Sequence, residues 1–436
     1  MWADNRVFYQ IYPLGFCGAP QTNDGILSPR IHKVTEWMEH IQACGCDAVY
    51  FSPLFESDSH GYDTRDYAKL DCRLGTNADF AEVCCKLHQK GFKIVLDGVF
   101  NHVGRGFWAF QDVLKNRQNS AYKNWFNIHF DGNSNYNDGL WYEGWEGHYE
   151  LVKLNLQNEE VIHHIFGCIQ NWVREFDIDG LRLDVAYCLE RVFLEKLRVF
   201  CDQIKPDFFL VGEILSGDYN QIMNHTMLHS VTNYECYKGL YSSFNTMNLF
   251  EIAHSLQRQF GPENWTLYKG EHLFNFVDNH DVARIATILT NKNHLPLIYA
   301  VLFAMPGIPC IYYGSEWGAE GAKEPGSDAS LRPCFDQPQH TDLTAYILAC
   351  ANAHKNSQAL CFGDCKSLLL TNRQFIFERS YEGARVLVAV NADSEPFDAH
   401  FNADAGRARN LLSGEMHDFG GGSTLPPYSA QYWEIY

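Results

Sequence analysis

Ionisable side chains recur at the ends of short apolar runs in this 436-residue sequence. They form four groups, namely Asp97 with Asn101 and His102, Arg182 with Asp184, Glu213, and Asn279 with His280 and Asp281. Arg182 and Asp184 are two residues apart, so in a strand both side chains leave the same face. A buried ion pair that fastens the end of a strand would explain this pair equally well. Four groups at equivalent places favour a catalytic carboxylate cluster instead.

Three carboxylates in these groups could act together, at Asp184, Glu213 and Asp281. Two histidines and an arginine accompany them, and the sequence shows no Cys/His spacing typical of a metal site. This set indicates proton transfer and nucleophilic attack without an essential metal. Glycoside hydrolysis needs one carboxyl that stays protonated and another that is ionised, and a separation of roughly 5 Å between them favours a covalent, retaining route.

The elements that must position these side chains alternate between strand and helix patterns. Strands are predicted at 7–12, 48–52, 92–97, 176–186, 208–213, 231–234, 273–277 and 308–313. Helices are predicted at 31–43, 77–89, 158–175, 190–203, 248–260 and from about residue 282, with Asn77 as the N-cap of the second. Eight strands with helices between most neighbours predict an α/β fold, a (β/α)8 TIM barrel, with an open doubly wound sheet as the rival. In a barrel the carboxyl ends of the strands converge, so the four groups would meet there.

Two segments interrupt this alternation. Residues 104–156 are rich in Asn, Gly, Trp and Tyr, which predicts an inserted subdomain after the third strand and leaves 1–103 and 157–356 for the barrel. From 357 to 436, short strands separated by Gly, Asp and Ser turns predict a C-terminal antiparallel β-sandwich domain. Within the insertion, Trp141, Tyr142 and Trp145 either form a platform for a sugar ring or pack the subdomain.

Composition narrows the class of partner. With 34 Lys+Arg against 53 Asp+Glu, the net charge of -19 argues against nucleic acid or an anionic membrane surface, and no apolar run is long enough to span a membrane. The many aromatic residues suit neutral ligands such as sugars. The 15 cysteines include no C-x-x-C pair, and the amino terminus shows no secretion signal. These features predict reduced, packed thiols and a cytoplasmic protein, and they leave the oligomeric state open.

The segments that carry the four groups resemble a known family. They are Asp97-Gly-Val-Phe-Asn-His102, Gly180-Leu-Arg-Leu-Asp184, Val211-Gly-Glu-Ile214 and Phe276-Val-Asp-Asn-His-Asp281. In type and order they resemble the four motifs of the α-amylase family, glycoside hydrolase family 13. The likeness extends to segments 9–13, 61–67 and 306–316. It covers essentially the whole predicted barrel, and the family has both an inserted subdomain and a C-terminal β-domain.

This resemblance implies a role for each catalytic side chain. Asp184 would be the nucleophile that forms a β-glucosyl-enzyme, and Glu213 would act first as general acid and then as base. Asp281 would hold the 2- and 3-hydroxyls of the sugar, a contact that strengthens in the transition state. Arg182 would orient Asp184 and keep it ionised.

Five further residues complete the site that the resemblance implies. His102 and His280 would form hydrogen bonds with sugar hydroxyls, and Tyr62 would stack on the sugar ring. Asp97 and Asn101 would brace the site. The alternative interpretation is that the two histidines are structural and that Tyr62 belongs to the core.

The resemblance also raises the question of calcium. Some members of the family bind it through an Asn at the position of Asn101, an Asp from the inserted subdomain and a main-chain carbonyl after the nucleophile motif. Here Lys153 stands where an acidic ligand is often found, and Cys188 stands where a His is usual. A structural calcium is therefore disfavoured, and no cofactor is expected to be required.

Taken together, the resemblance implies a retaining enzyme that cleaves α-1,4-glucosidic bonds of maltodextrins or related short α-glucans. The segment Asp184-Val-Ala186 begins like that of neopullulanases and cyclomaltodextrinases and then diverges. A 4-α-glucanotransferase on the same scaffold is the alternative, because a sugar hydroxyl could replace water as the acceptor. A non-catalytic amylase-like protein is disfavoured, since all three carboxylates are present.

Overall fold

Eight parallel strands form the barrel of the computed structural model, which describes residues 1–436. In chain order they are β1 (Phe8–Ile11), β2 (Ala48–Phe51), β3 (Lys93–Gly98), β4 (Gly180–Leu183), β5 (Phe209–Gly212), β6 (Ser230–Val231), β7 (Phe274–Asn275) and β8 (Ile308–Tyr312). Hydrogen bonds join successive strands from β1 to β6, and β8 pairs with both β1 and β7. A parallel bridge between Thr232 and Phe274 links the ends of β6 and β7. The ring of strands therefore closes, which confirms the (β/α)8 barrel against the open sheet.

Side chains of the barrel strands alternate between the barrel interior and the surrounding helices. An apolar cluster fills the interior, and it includes Phe8, Ala48, Val95, Phe209 and Phe274. Their neighbours along the strands pack into the main hydrophobic core beneath the helices. Polar residues that come after these apolar ones on the inward faces of the strands therefore point into the open end of the barrel.

Eight helices surround the strands. They are α1 (Lys33–Ala43), α2 (Asn77–Gln89), α3 (Glu159–Phe176), α4 (Arg191–Ile204), α5 (Tyr234–Thr246), α6 (Phe250–Phe260), α7 (Leu295–Ala304) and α8 (Asp342–Asn356). Shorter helices lie at Pro13–Phe16 and Ile285–Ile288. None of the helices combines the length and the apolar character needed to cross a bilayer.

The N-cap predicted for α2 is wrong by one residue. Thr76 adopts an extended conformation, and its hydroxyl accepts a hydrogen bond from the Asp79 amide at 3.2 Å. Asn77 is already helical, and its side chain instead accepts a hydrogen bond from the Leu70 amide at 2.8 Å. Thr and Asn are both good N-caps, so the local sequence alone did not separate them.

Two other helix boundaries also differ from the prediction. Helix α5 begins at Tyr234, which was predicted to lie in a strand, because the Asn233 side chain accepts a hydrogen bond from the Cys236 amide and caps a helix there. No helix begins at residue 282. The chain turns before the short helix Ile285–Ile288, and α7 follows after another turn. Every residue of α7 except Pro296 is buried, so it lacks the polar face that makes a helix recognisable.

The inserted subdomain is built from a helix and small antiparallel sheets. The helix is Trp108–Asn116, and strand His148–Lys153 pairs with Gly144–Trp145 and with His102–Gly104. The predicted boundary after residue 103 therefore falls inside a strand. Tyr142 is fully buried against Phe110, so this residue packs the subdomain and does not form a platform for a sugar ring.

The C-terminal segment forms two antiparallel sheets behind the short helix Gln358–Phe362. The larger sheet has six strands, in the spatial order Asp364–Leu370, Gln374–Tyr381, Ala384–Asn391, Ser429–Ile435, Arg407–Asn410 and Met416–Asp418. One face, including Phe377 and Tyr432, joins the main core of the barrel. The other face, including Trp433, packs with Leu425 of the two-stranded sheet formed by Phe397–Ala399 and Ser423–Leu425.

Candidate active site

The open end of the barrel brings together the four groups found in the sequence. Asp97 follows Val95 on the inward face of β3, and Arg182 is its direct partner on β4. Asp184 and Glu213 come directly after the last residues of β4 and β5. The Tyr62 hydroxyl contacts both Asp97 and His280, which links these residues to the segment 279–281, so side chains far apart in sequence share one site.

Arg182 lies at the centre of a buried cluster of three carboxylates. Its Nη1 donates to both oxygens of Asp97 and to Oδ1 of Asp184, each at 2.9 Å. Its Nη2 lies 3.0 Å from Oε2 of Glu213. Burial alone would lower the pKa of Arg182, but Asp97 and Glu213 raise it well above its ordinary value. The guanidinium is therefore permanently charged and fixes the three carboxylates relative to one another.

The ionisation of Asp184 depends on its burial and on the other charges of this cluster. Its burial raises its pKa well above the usual range, Arg182 opposes the rise, and the charges of Glu213 and Asp97 add to it. The contact with Arg182 that was expected is present, but Arg182 is shared with two other carboxylates and does not outweigh burial. One guanidinium among three buried carboxylates favours a cluster that retains a proton.

A strained turn links the ends of β4 and β5. The backbone of Val185 has φ 40° and ψ 47°, in the left-handed region that β-branched residues rarely occupy. In this conformation its amide donates to Oε2 of Glu213 at 2.9 Å. Oε2 of Glu213 is thus held by Arg182 and Val185, whereas Oε1 has only the Tyr234 hydroxyl at 3.5 Å. Oε1 is the oxygen left free to carry a proton.

Asp97 is fully engaged with protein groups. Besides Arg182, the hydroxyls of Tyr50 and Tyr62 donate to its Oδ2 at 2.9 and 3.3 Å. Its carboxylate is buried beneath these partners, with 3% of the residue exposed. These contacts suit a bracing residue, and that role stays a prediction for Asp97.

His102 presents an unpaired donor beside Asp184. The Asn101 side-chain amide donates to Nδ1 of His102 at 3.1 Å, so the ring proton lies on Nε2. This Nε2 has no hydrogen-bond partner in the protein and lies 3.8 Å from Oδ2 of Asp184. Burial, with the nearby charge of His60, lowers the pKa of His102 to about 3, so the ring is neutral at physiological pH. A neutral N–H donor next to the carboxylate suits a sugar hydroxyl.

His280 is fixed between two elements of the barrel. The Gln10 side-chain amide donates to Nδ1 of His280 at 2.7 Å, which leaves the proton on Nε2. Nε2 lies 2.9 Å from Oδ2 of Asp281 and also contacts the Tyr62 hydroxyl. The Tyr62 ring lies nearly parallel to that of His280, with an angle of 10° and centroids 5.7 Å apart. The predicted sugar contacts of His280 and Tyr62 stay predictions, but both side chains line the same site.

Asp281 faces the solvent side of the site. Its side chain is 34% exposed, compared with 7% for Asp184 and 8% for Glu213. Arg332 donates to its Oδ1 at 3.0 Å from a loop that the sequence patterns did not single out. Burial would raise the pKa of Asp281, but His280, Arg332 and Arg182 together hold it below the usual range. Asp281 is therefore an ionised carboxylate at the mouth of the site.

Comparison with known proteins identifies the family. Residues 10–361 match the model of the α-amylase catalytic domain. The chain belongs to the α-amylase family. This assignment confirms the resemblance drawn from the four motifs, and it makes the chain a member of a family of glycoside hydrolases.

Relatives within the α-amylase family match from about three quarters to nearly the whole of the chain. A cyclomaltodextrinase of Thermoanaerobacter pseudethanolicus is 29% identical over 460 aligned positions, which span 98% of this chain and 77% of that protein. An intracellular maltogenic amylase of Bacillus subtilis is 32% identical over 344 positions, 74% of this chain and 57% of that protein. A solved cyclic α-maltosyl-(1→6)-maltose hydrolase from Arthrobacter globiformis, 26% identical, superposes with a TM-score of 0.84 over the whole of both chains.

Four residues of this α-amylase-family site were missed. Gln10 and Tyr50 are polar groups on inward faces of β1 and β2, and a search for polar residues two positions after interior apolar ones would have found them. Tyr234 lies in the first turn of a helix that was not predicted. Arg332 follows a short turn and has no pattern that would reveal it.

Arg332 offers a direct test of how Asp281 is positioned. We expect Arg332→Gln to lower kcat/KM about 10- to 100-fold, because a charge-assisted hydrogen bond contributes about 1.5–3 kcal/mol. Removing the guanidinium also raises the pKa of Asp281, so the acid limb of the kcat/KM profile moves to higher pH. Asp328→Asn is the matched control, since Asp328 contacts the same Nη2 at 3.1 Å from the other side. An unchanged pH profile in Arg332→Gln would contradict this account of Asp281.

The residues present do not fit the calcium site of some α-amylase-family members. The Asn101 side chain is engaged with His102. Lys153, the direct partner of His102 in the antiparallel sheet, donates to Oε1 of Glu143 at 2.8 Å. An ammonium group at the place of an expected anionic ligand repels a cation, and it also occupies the carboxylate of Glu143.

Proposed function

We propose that this protein hydrolyses α-1,4-glucosidic bonds of maltodextrins and related short α-glucans with retention of anomeric configuration. The observation that carries the proposal is that one guanidinium, Arg182, contacts both Asp184 and Glu213. Such bridging holds two carboxyls close, in keeping with the separation of about 5–5.5 Å in retaining glycosidases. Relatives named cyclomaltodextrinase and maltogenic amylase support an α-glucan as substrate.

In the first step, Asp184 attacks the anomeric carbon while Glu213 protonates the glycosidic oxygen. The bond between the carbon and the leaving oxygen breaks, and an ester bond to the Asp184 carboxylate forms. Oε1 of Glu213, the oxygen without a strong partner, delivers the proton. Arg182 offsets the charge on both carboxylates as the proton leaves.

In the second step, Glu213 removes a proton from water, and the resulting hydroxide equivalent displaces Asp184 from the anomeric carbon. Two inversions return the α configuration. Asp281 accepts hydrogen bonds from sugar hydroxyls, and His102 donates one through its unpaired Nε2–H. These contacts strengthen as charge develops on the sugar ring, which lowers the barrier rather than the KM alone.

A product time course with maltotriose tests this proposal. Anomers of the first product are followed by NMR, and chain lengths are followed by chromatography. We expect glucose and maltose from the earliest times, with the product released from the covalent intermediate in the α configuration. Early appearance of oligosaccharides longer than maltotriose would show that a sugar hydroxyl is the preferred acceptor, and the chain would then be a glucanotransferase. A β-configured first product would contradict retention.

We propose that the fold does not depend on calcium, on the ground that Lys153 stands where an acidic ligand is often found and pairs with Glu143. Raising free calcium to about 1 mM should leave Tm within about 1 °C, because only a ligand bound by the native state shifts the unfolding equilibrium. Lys153→Asp is the matched variant, since it restores an acidic side chain at this place, and its Tm should rise with calcium. A calcium-dependent Tm in the wild-type enzyme would contradict the proposal.

We also infer that the protein works in the cytoplasm. All 15 cysteines are free, and eleven of them are buried as small apolar side chains. A Bacillus subtilis relative carries the name intracellular maltogenic amylase. Cell fractionation with an antibody tests this location, and recovery outside the cell would contradict it.

A further inference from the structure

A second buried group of ionisable side chains lies between α1 and the turn after β8. His40 and Cys44 are one helical turn apart on α1, and Glu316 lies in the turn Ser315–Trp317. One ligand atom from each of the three residues lies within 4.8 Å of the others. Their exposed fractions are 3%, 0% and 0%. The proposed hydrolysis uses none of these three side chains.

Hydrogen bonds within the protein satisfy this group only in part. Oε1 of Glu316 accepts from the Tyr9 hydroxyl at 2.6 Å and lies 2.7 Å from Nε2 of His40. Oε2 of Glu316 and Nδ1 of His40 have no partner, although both are buried. Leaving a polar oxygen of a carboxylate unpaired in the core is costly, so the group calls for a further positive partner.

The distances suit a tetrahedral ion with sulfur and nitrogen ligands. Sγ of Cys44 and Nε2 of His40 are 3.6 Å apart. Bonds of about 2.3 Å from zinc to sulfur and about 2.0 Å to nitrogen, at a tetrahedral angle, place the two atoms about 3.5 Å apart, close to the separation seen here. The separation between Nε2 and Oε1 must widen to about 3.3 Å, which a rotation of the Glu316 carboxylate provides. The exposed His340 ring lies against His40, with centroids 4.9 Å apart. His340 is not within reach of all three ligand atoms as it stands, so its ring must turn to supply a fourth ligand from the surface.

We propose that His40, Cys44 and Glu316, completed by His340, bind a divalent ion of the zinc class that ties α1 to the turn after β8. Binding displaces the thiol proton of Cys44 to solvent, and the ring proton of His40 moves from Nε2, which binds the ion, to the unpartnered Nδ1. A thiolate and a carboxylate then balance the two positive charges. The resulting site is electrically neutral, as a buried site should be. A mixed sulfur, nitrogen and carboxylate set selects zinc over calcium or magnesium.

This site was not visible in the sequence. Cys44 was predicted to be a reduced thiol packed as a small hydrophobe, and no metal was expected. Only His40 and Cys44 are close in sequence, whereas the barrel itself brings Glu316 from the last strand to the first helix. A single His-x-x-x-Cys spacing on a helix carries little information without the remaining ligands.

Two similar groups in the chain lack these properties. In the group Glu56, Asp71 and Cys72, both oxygens of Asp71 already accept from Arg73, at 2.8 and 2.7 Å. The guanidinium of Arg73 therefore already neutralises this carboxylate, and no metal ion is needed there. His164 and Cys168 on α3 repeat the helical spacing of His40 and Cys44, but their ligand atoms are 4.0 Å apart and no carboxylate joins them.

Expression of the full chain in cobalt-supplemented medium tests the proposal, because the ion then enters during folding. We expect about one cobalt per chain by elemental analysis, with a thiolate-to-cobalt charge-transfer band and intense visible bands typical of tetrahedral coordination. Zinc-supplemented medium should yield about one zinc per chain. Cys44→Ser should abolish the charge-transfer band, whereas Cys168→Ser, the matched control, should retain it. His340→Ala should weaken cobalt retention about tenfold or more.

Wild-type protein with less than about a tenth of an equivalent of zinc and of cobalt after such growth would overturn the proposal. This measurement requires no variant, so a Cys44→Ser chain that fails to fold leaves the test intact. A charge-transfer band that persists in folded Cys44→Ser would also overturn it.

Discussion

Asp184→Asn lowers kcat for maltotriose by about four orders of magnitude or more, because an amide cannot form the ester intermediate. The substitution keeps the shape of the side chain and an oxygen that can accept from Nη1 of Arg182, now 2.9 Å from Oδ1. It also removes one negative charge from a buried cluster whose crowding raises the pKa of Asp184. We therefore expect Tm to stay the same or to rise, as is common when a strained catalytic group is neutralised.

Steady-state kinetics and a thermal melt of the same preparation check this result. Asp177→Asn is the matched control, since Asp177 precedes the same strand, but its side chain is 71% exposed and pairs only with Lys205. The control should keep its activity. A folded Asp184→Asn enzyme with near-normal turnover would show that another residue is the nucleophile, and a large fall in Tm would show that Asp184 is needed for the fold.

Glu213→Gln separates the two chemical steps. Hydrolysis of maltotriose should fall about 10²- to 10⁴-fold, since the leaving oxygen is no longer protonated. A maltosyl fluoride, whose leaving group needs no proton, should still form the intermediate at a rate close to that of the wild-type enzyme. The intermediate then accumulates, because no base activates water.

Added azide tests the second step in this variant. Without the negative charge of Glu213, the azide anion can approach the anomeric carbon from the side on which water normally attacks. Azide needs no base to act as a nucleophile. We expect turnover of the fluoride to rise with azide and to yield the α-maltosyl azide. Equal losses of activity on maltotriose and on the fluoride, without rescue by azide, would contradict the role of Glu213 as acid and base. Tyr234→Phe is a useful comparison, since its hydroxyl is the one group near Oε1 of Glu213 and its loss should cost far less.

The sequence revealed the catalytic groups because each ends a short apolar strand. Asp97, Asp184 and Glu213 stand out as charges in runs that otherwise belong inside a protein. The alternation of strand and helix then required a barrel or an open sheet, and in either case the carboxyl ends of the strands meet. The bridge between Thr232 and Phe274 joins the ends of two very short strands and closes the barrel. No local sequence pattern predicts this bridge, so the sequence did not distinguish a closed barrel from an open sheet.

Other parts of the molecule depend on contacts that local patterns do not record. Arg332 reaches Asp281 from an irregular loop, and Val185 adopts a left-handed backbone against its own preference because strand ends on both sides fix it. Helix α7 is apolar on all sides because it lies between the barrel and the C-terminal sheet, where Tyr432 contacts Ala300. Such features follow from the closed fold and become visible only once it is known.

The most direct test of the central claim is to trap the covalent intermediate. A 5-fluoro-α-maltosyl fluoride reacts through the first step and slows the second, so the label stays on the nucleophile. Peptide mass spectrometry of the inactivated wild-type enzyme should place one fluoromaltosyl group on Asp184. Free maltotriose should protect against labelling, and Asp184→Asn should take up no label. A label on any other residue, or complete turnover with a β-configured product and no label, would contradict the account.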